Sequence, residues 1–211
     1  MPPRYLQRES AVAEDVDPSI HMPYGMHAAG MIGAINDVYA YLHAINAAGV
    51  DHGYGRLEEL MQPAGFSGLL SQSFMAAVAK AFASESPGLT LNQYSNGRPD
   101  LVPRAHYPGD GVKNGDEGVE LKTSRSKSGW QGHNPEGGWL MVFQIAVDTK
   151  TEPIYDRDPT RVDRVLIAKL EESDWNFSGR GAGSRRTPTA SVNQAGLAKL
   201  ERGAVYVRAR N

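Results

Sequence analysis

Gly118-Val119-Glu120-Leu121-Lys122-Thr123-Ser124 alternates apolar and polar side chains, the period of a strand with one buried face. Glu120 and Lys122 then project from the same side, and Leu121 points into a core. Twenty residues on, Trp139-Leu140-Met141-Val142-Phe143-Gln144-Ile145-Ala146-Val147-Asp148 is the most apolar run in the chain, and a central strand buried on both faces fits it. Arg161–Leu170 predicts another strand, and Ala204–Arg208 a last one. Upstream, Leu89–Tyr94 alternates as a strand, Ser95-Asn96-Gly97 reads as a tight turn, and Arg98–Pro103 follows as a short strand. Together these predict an α/β (α+β) fold with a central mixed β-sheet flanked by helices.

The helices come from a different period. Met31, Ile32, Ile35, Val38, Tyr39, Leu42 and Ile45 recur at spacings of three and four, which predicts an amphipathic helix over 27–48 with Gly49 as its stop. A short helix is expected near Arg56–Met61, a turn at Pro63-Ala64-Gly65, a second long helix over 68–84, and a short one over 192–200. Residues 1–25 carry several prolines and no clear period, and read as an arm. The segments 104–117, 125–138 and 179–183 are rich in Gly and polar residues and are expected as loops.

The chain has 211 residues, 40% hydrophobic and 22% charged, the composition of one globular domain rather than of a disordered chain. The expected parts are a helical region over 27–67, a core over 68–170 and a basic part over 171–211. The net charge of −2 excludes a bulk polycation. It conceals a gradient, because residues 1–60 carry a net −5 and residues 157–211 a net +5. No cysteine is present, so no thiolate site is expected. No apolar run is long enough to span a membrane, and the first residues hold no apolar run for a signal peptide; a soluble, cytoplasmic protein is expected.

The chemistry lies in Pro99-Asp100 and, twenty residues on, Glu120-Leu121-Lys122. If the two strands are antiparallel neighbours, Asp100 meets Glu120 across the sheet. Two converging carboxylates are costly without a cation. Oxygen ligands without histidine or cysteine select Mg²⁺, with Mn²⁺ as a substitute. Lys122 adds a positive charge beside such an ion. The set suits phosphodiester hydrolysis, with an acidified water and a lysine that orients it and stabilises the developing charge.

Gly97-Arg98-Pro99-Asp100-Leu101 followed by Gly118-Val119-Glu120-Leu121-Lys122-Thr123 resembles the PD-(D/E)xK signature of the restriction-endonuclease-like superfamily. The resemblance spans roughly 68–170, including the order of helix and strands. It implies a Type II restriction endonuclease that cuts double-stranded DNA to 5′-phosphate and 3′-hydroxyl ends. Asp100 and Glu120 would hold Mg²⁺, with the Leu121 carbonyl as a further ligand, and Lys122 would position the water. Some members add an acidic residue from a preceding helix; Glu58, Glu59 and Glu85 are candidates, and Asp110, Asp116 and Glu117 lie in the connecting loop. A palindromic site suits a two-fold homodimer, with the 27–48 helix as the expected interface.

DNA contacts are expected from two stretches. Arg125, Lys127, Trp130, Gln131, His133 and Asn134 follow the Glu-x-Lys strand and offer cations, amides and a ring. Arg180, Ser184, Arg185, Arg186, Thr187 and Thr189 lie in a glycine-rich basic segment of the +5 region. Two other readings remain open: a structure-specific repair or recombination nuclease with the same core, and a non-catalytic DNA-binding module.

Overall fold

A computed structural model describes residues 2–132, 137–178 and 189–209. In chain order, α1 spans Ala28–Asp51, α2 Leu57–Leu60 and α3 Pro63–Ala81. They are followed by β1 (Leu89–Leu91), β2 (Leu101–Pro103), β3 (Val119–Ser124), β4 (Gln131–Gly132), β5 (Gly138–Ala146), β6 (Arg161–Leu170), β7 (Trp175–Ser178) and β8 (Thr189–Val192). The last elements are α4 (Gln194–Arg202) and β9 (Ala204–Val207). The fold is α/β.

Six strands form a mixed sheet in the order β1-β2-β3-β5-β6-β9. Only β3 and β5 run parallel, in continuous register from Val119↔Trp139 to Ser124↔Gln144. β5 and β6 pair antiparallel over nearly their full length. Alternation sorts the side chains of this sheet onto two faces. Val119, Leu121, Met141, Phe143, Val165 and Ile167 join one core with α1 and α3. Leu140, Val142, Leu166, Ala168 and Leu170 join a second core with Trp130, Val192 and Leu200. That second face is covered by α4 and a small antiparallel sheet, β4-β8-β7.

Several boundaries differ from the sequence reading, each for a local reason. α3 starts at Pro63 rather than near 68, since proline in the first turn has no amide to leave unpaired. α1 runs through Gly49 to Asp51. Gly49 serves a close approach instead of a stop: the Tyr54 amide donates to its carbonyl at 2.8 Å, and a Cβ would meet the Gly55 carbonyl at 3.1 Å. β2 loses Arg98–Asp100, and β1 ends at Leu91 because Asn92 turns its side chain into the chain's own backbone.

The N-terminal segment is irregular but docked. Val16 bridges Tyr206 at the β9 edge, and Ala11, Val16, Met22 and Met26 enter the helical core. The α1 stripe expected to meet a second copy is instead buried inside the chain, with Met31, Ala34, Ile35, Val38 and Leu42 nearly inaccessible. Much of 171–209 is likewise scaffold: Leu200, Val205 and Tyr206 are fully buried.

Asp174 ties this region together. It is buried, and its carboxylate accepts from the Lys199 ammonium at 2.6 Å and the Glu171 amide at 2.8 Å. Burial alone would raise its pKa, but the Lys199 ammonium and the amide outweigh that and lower it. A lowered pKa stabilises the fold above the ordinary value of 3.8, and that stability is lost as pH falls through the folded value. Thermal melts between pH about 2 and about 6 should therefore show a shallower acid loss for Asp174→Asn than for the wild type. Equal acid slopes would refute this role.

Candidate active site

β2 is short, and its pairing with β3 consists of Leu101↔Val119. One step further along this antiparallel register, position 100 faces position 120. There the carboxylate of Asp100 takes over the ladder: its Oδ2 accepts from the Leu121 amide at 2.8 Å. Leu121 itself is 2% exposed and anchors β3 in the helical core. Glu120 and Lys122 project from the other face, as the alternation predicts. The Lys122 ammonium bonds Glu120 Oε1 directly, while Glu120 Oε2 is buried with no hydrogen-bond partner among the described residues.

Glu120 and Lys122 open into a cavity of about 580 Å³. Arg98, Asp116, Trp139 and Trp175 also line it, together with the backbone of Gly115, Gly118, Gly137 and Gly138. Gly118 has φ +136°, and a Cβ there would meet the Leu101 carbonyl at 2.2 Å, so only glycine lets the connecting loop enter β3 this close to β2.

The approach to the site is held by residues that the sequence reading missed. Asn92 makes four hydrogen bonds. Its Nδ2 donates to the carbonyls of Pro99 (2.9 Å) and Val112 (2.8 Å), and its Oδ1 accepts from the amides of Tyr94 and Val112, each at 3.0 Å. It therefore fixes the turn that carries Pro99-Asp100 against the 104–117 loop. Tyr24 donates to Glu117 Oε2 at 2.5 Å and accepts from the Gly118 amide at 2.9 Å. Burial, then Glu117, pushes the Tyr24 phenol well above its ordinary pKa, so it stays a donor. Tyr107 donates to Asp116 Oδ1 at 3.1 Å and accepts from the Glu117 amide at 2.9 Å. Single Asn and Tyr residues in loops carry no spacing, so no sequence signal marks them.

Asn92→Ala removes all four bonds, and we expect a loss of about 2–3 kcal/mol in stability. On melting, Asn92→Asp, which retains the acceptor, should fall between the two. Unchanged melting in Asn92→Ala would refute this role.

The other acidic candidates separate cleanly. Glu58 is buried between Asn46 (3.0 Å) and Thr160 (2.6 Å), and Glu59 is paired with Arg56 and Arg157. Glu85 faces His27, Asp110 accepts from the Ala105 amide, and Glu117 is held by Tyr24. Asp116 alone of the six lines the cavity.

The expected DNA-contacting residues are divided. Arg125, Lys127 and Gln131 are exposed. Trp130 is corrected: it is 4% exposed, belongs to the second core, and its indole donates to the Ser126 carbonyl at 3.1 Å. A ring this covered packs β4 onto the main sheet and meets no groove. Thr189 lies in β8. His133, Asn134, Arg180, Ser184, Arg185, Arg186 and Thr187 lie outside the described residues.

Among the described residues no group of three or more His, Asp or Glu side chains converges as a metal cage would. The donor set still fits magnesium: an orphaned buried Glu120 oxygen, with Asp100 one step across the register, beside an open cavity. Mg²⁺ keeps several waters and takes only one or two carboxylates in such sites. No described helix is long and apolar enough to cross a membrane. Compared with known proteins, the chain matches no family model, no curated protein and no solved structure.

Proposed function

We propose that the chain is a Mg²⁺-dependent, sequence-specific endonuclease of double-stranded DNA, of the PD-(D/E)xK restriction-endonuclease-like kind, acting as a homodimer. The carrying observation is Glu120 at the mouth of a cavity, its Oε1 bonded to the Lys122 ammonium and its buried Oε2 without a hydrogen-bond partner among the described residues, next to Asp100 just before β2. An uncompensated carboxylate oxygen is costly in a protein interior unless a cation binds there.

Asp100 and Glu120 would hold the ion, with the Leu121 carbonyl as a further ligand. When bound, magnesium supplies Lewis-acid polarisation of the phosphate and a more acidic water. The remaining work falls to the chain. The Leu121 amide fixes the Asp100 carboxylate. The Glu120 carboxylate holds the Lys122 side chain in place. The Lys122 Nζ–H groups orient a water and stabilise negative charge on the phosphoryl oxygens as it develops. Trp139 and Trp175 wall the cavity and limit bulk water. The products are 5′-phosphate and 3′-hydroxyl ends.

Digestion of unmodified duplex plasmid with Mg²⁺ tests this reading. Discrete fragments that vanish in EDTA support it. Cutting of branched or damaged DNA alone would support the repair-nuclease reading instead. Metal-independent binding with no product in Mg²⁺ or Mn²⁺ would leave a DNA-binding module.

A further inference from the structure

The candidate active site is poorly equipped to retain a polyanion. Its cavity carries two cations, Arg98 and Lys122, against two carboxylates, Asp116 and Glu120. A surplus of positive charge lies elsewhere among the described residues. A second cleft of about 680 Å³ is lined by Arg4, Arg125, Lys127, Arg161, Arg164 and Arg208. Its carboxylates are Glu9, Asp158 and Asp163, so the lining carries three excess positive charges. Gln144, opposite Ser124 in the β3–β5 register, also lines it. The cleft thus sits at the far end of the strands that begin at the candidate active site.

Each carboxylate is already engaged. Glu9 pairs with Arg208 at 2.6 Å, Asp158 with Arg4 at 2.6 Å, and Asp163 with Arg161 at 3.1 Å. Arg164 pairs with Glu201 outside the cleft. Arg125 and Lys127 make no ion pair among the described residues, are exposed, and carry the surplus.

These two cations stand on an ordered loop. Arg125 lies over the Phe66 ring, 5.9 Å from its centroid. The Ser126 amide donates to Ser124 Oγ at 3.0 Å. The Ser126 carbonyl accepts from the buried Trp130 indole, and the Lys127 carbonyl accepts from the buried Gln144 amide at 3.4 Å. Pre-placed cations bind an anion at a lower entropic cost than mobile ones.

We infer that this cleft holds the phosphate backbone of the same duplex that is cut at Lys122. The inference rests on the nuclease reading and adds a second, non-catalytic anchor. Lys122 lies within β3, and Arg125 follows its last residue, Ser124. Arg4 brings the N-terminal segment into the anchor, and Arg208 brings the end of β9.

The test measures duplex affinity in Ca²⁺ across a salt series. Each phosphate left without its cation lowers the slope of log K against log salt by about 0.9. Arg125→Ala/Lys127→Ala should lower the slope by about 1.8 and weaken binding about 10- to 100-fold at moderate salt. Asp158→Asn releases Arg4 and should tighten binding several-fold, the opposite direction. Wild-type slopes in both variants would overturn the anchor and leave the nuclease reading intact. A wild-type protein that binds no duplex at any salt would overturn both.

Discussion

Glu120→Gln should abolish Mg²⁺-dependent cleavage, by at least about 1,000-fold, while the protein stays folded. The substitution keeps shape and hydrogen bonding and removes the charge. Glu120 Oε2 is buried without a hydrogen-bond partner among the described residues, a desolvation cost that the amide relieves in part, against the loss of the ion pair with Lys122. Activity is therefore expected to fall far more than stability, the mark of a residue placed for chemistry. Mg²⁺ should raise the wild-type melting temperature, because a ligand that binds only the folded state stabilises it, and should leave that of Glu120→Gln unchanged. Lys122→Met and Asp100→Asn should lose cleavage to a similar degree. Asp100→Asn should also cost some stability, since Asp100 caps the Leu121 amide. Full activity in any of the three, or in EDTA, would sink the assignment.

Phe143→Ala is the largest expected effect on the fold. Phe143 is fully buried on β5 and stacks on Phe74 of α3, with ring centroids 4.1 Å apart and planes at 16°. It stands opposite Thr123 in the parallel register, so it clamps α3 onto the strand that carries Glu120 and Lys122. Loss of the ring removes its transfer free energy and leaves a cavity, together about 3–5 kcal/mol. For a domain of this size that corresponds to a fall in Tm of about 6–20 °C. Phe143→Leu fills most of the space and should lose less than half as much. Urea titration with a constant m value checks that the loss lies in the native state. A drop below about 1 kcal/mol would mean that the Phe74–Phe143 stack does not hold α3 to the sheet.

The parts of the fold legible in the sequence are those with a strong local period. The strand over Arg161–Leu170 and the Glu-x-Lys strand emerge close to their predicted limits, because alternation along a strand is a local property. Boundaries shifted where a tertiary contact outcompeted the local signal. Gly49 sits inside α1 because another stretch of backbone passes against it. Trp130 looked available in a polar loop, yet it is the largest buried side chain of the second core.

The amino-acid order alone determined that Glu120 and Lys122 share one side of a strand and that Leu121 opposes them, since that follows from a two-residue period. It also determined the supply of oxygen donors, with no thiolate to compete. Only the tertiary structure decided what these groups face. The three-residue length of β2 leaves the Leu121 amide open, and Asp100 closes it. Asn92, Tyr24 and Tyr107 fix the loops around the cavity through bonds that reach across 2 to 94 residues of chain. The division of charge was set the same way. Arg4 and Arg208 are about as far apart in sequence as two residues of this chain can be, and they meet at one cleft because the N-terminal segment docks along β9. A local pattern records which way a side chain points; which distant groups it meets depends on how the layers pack.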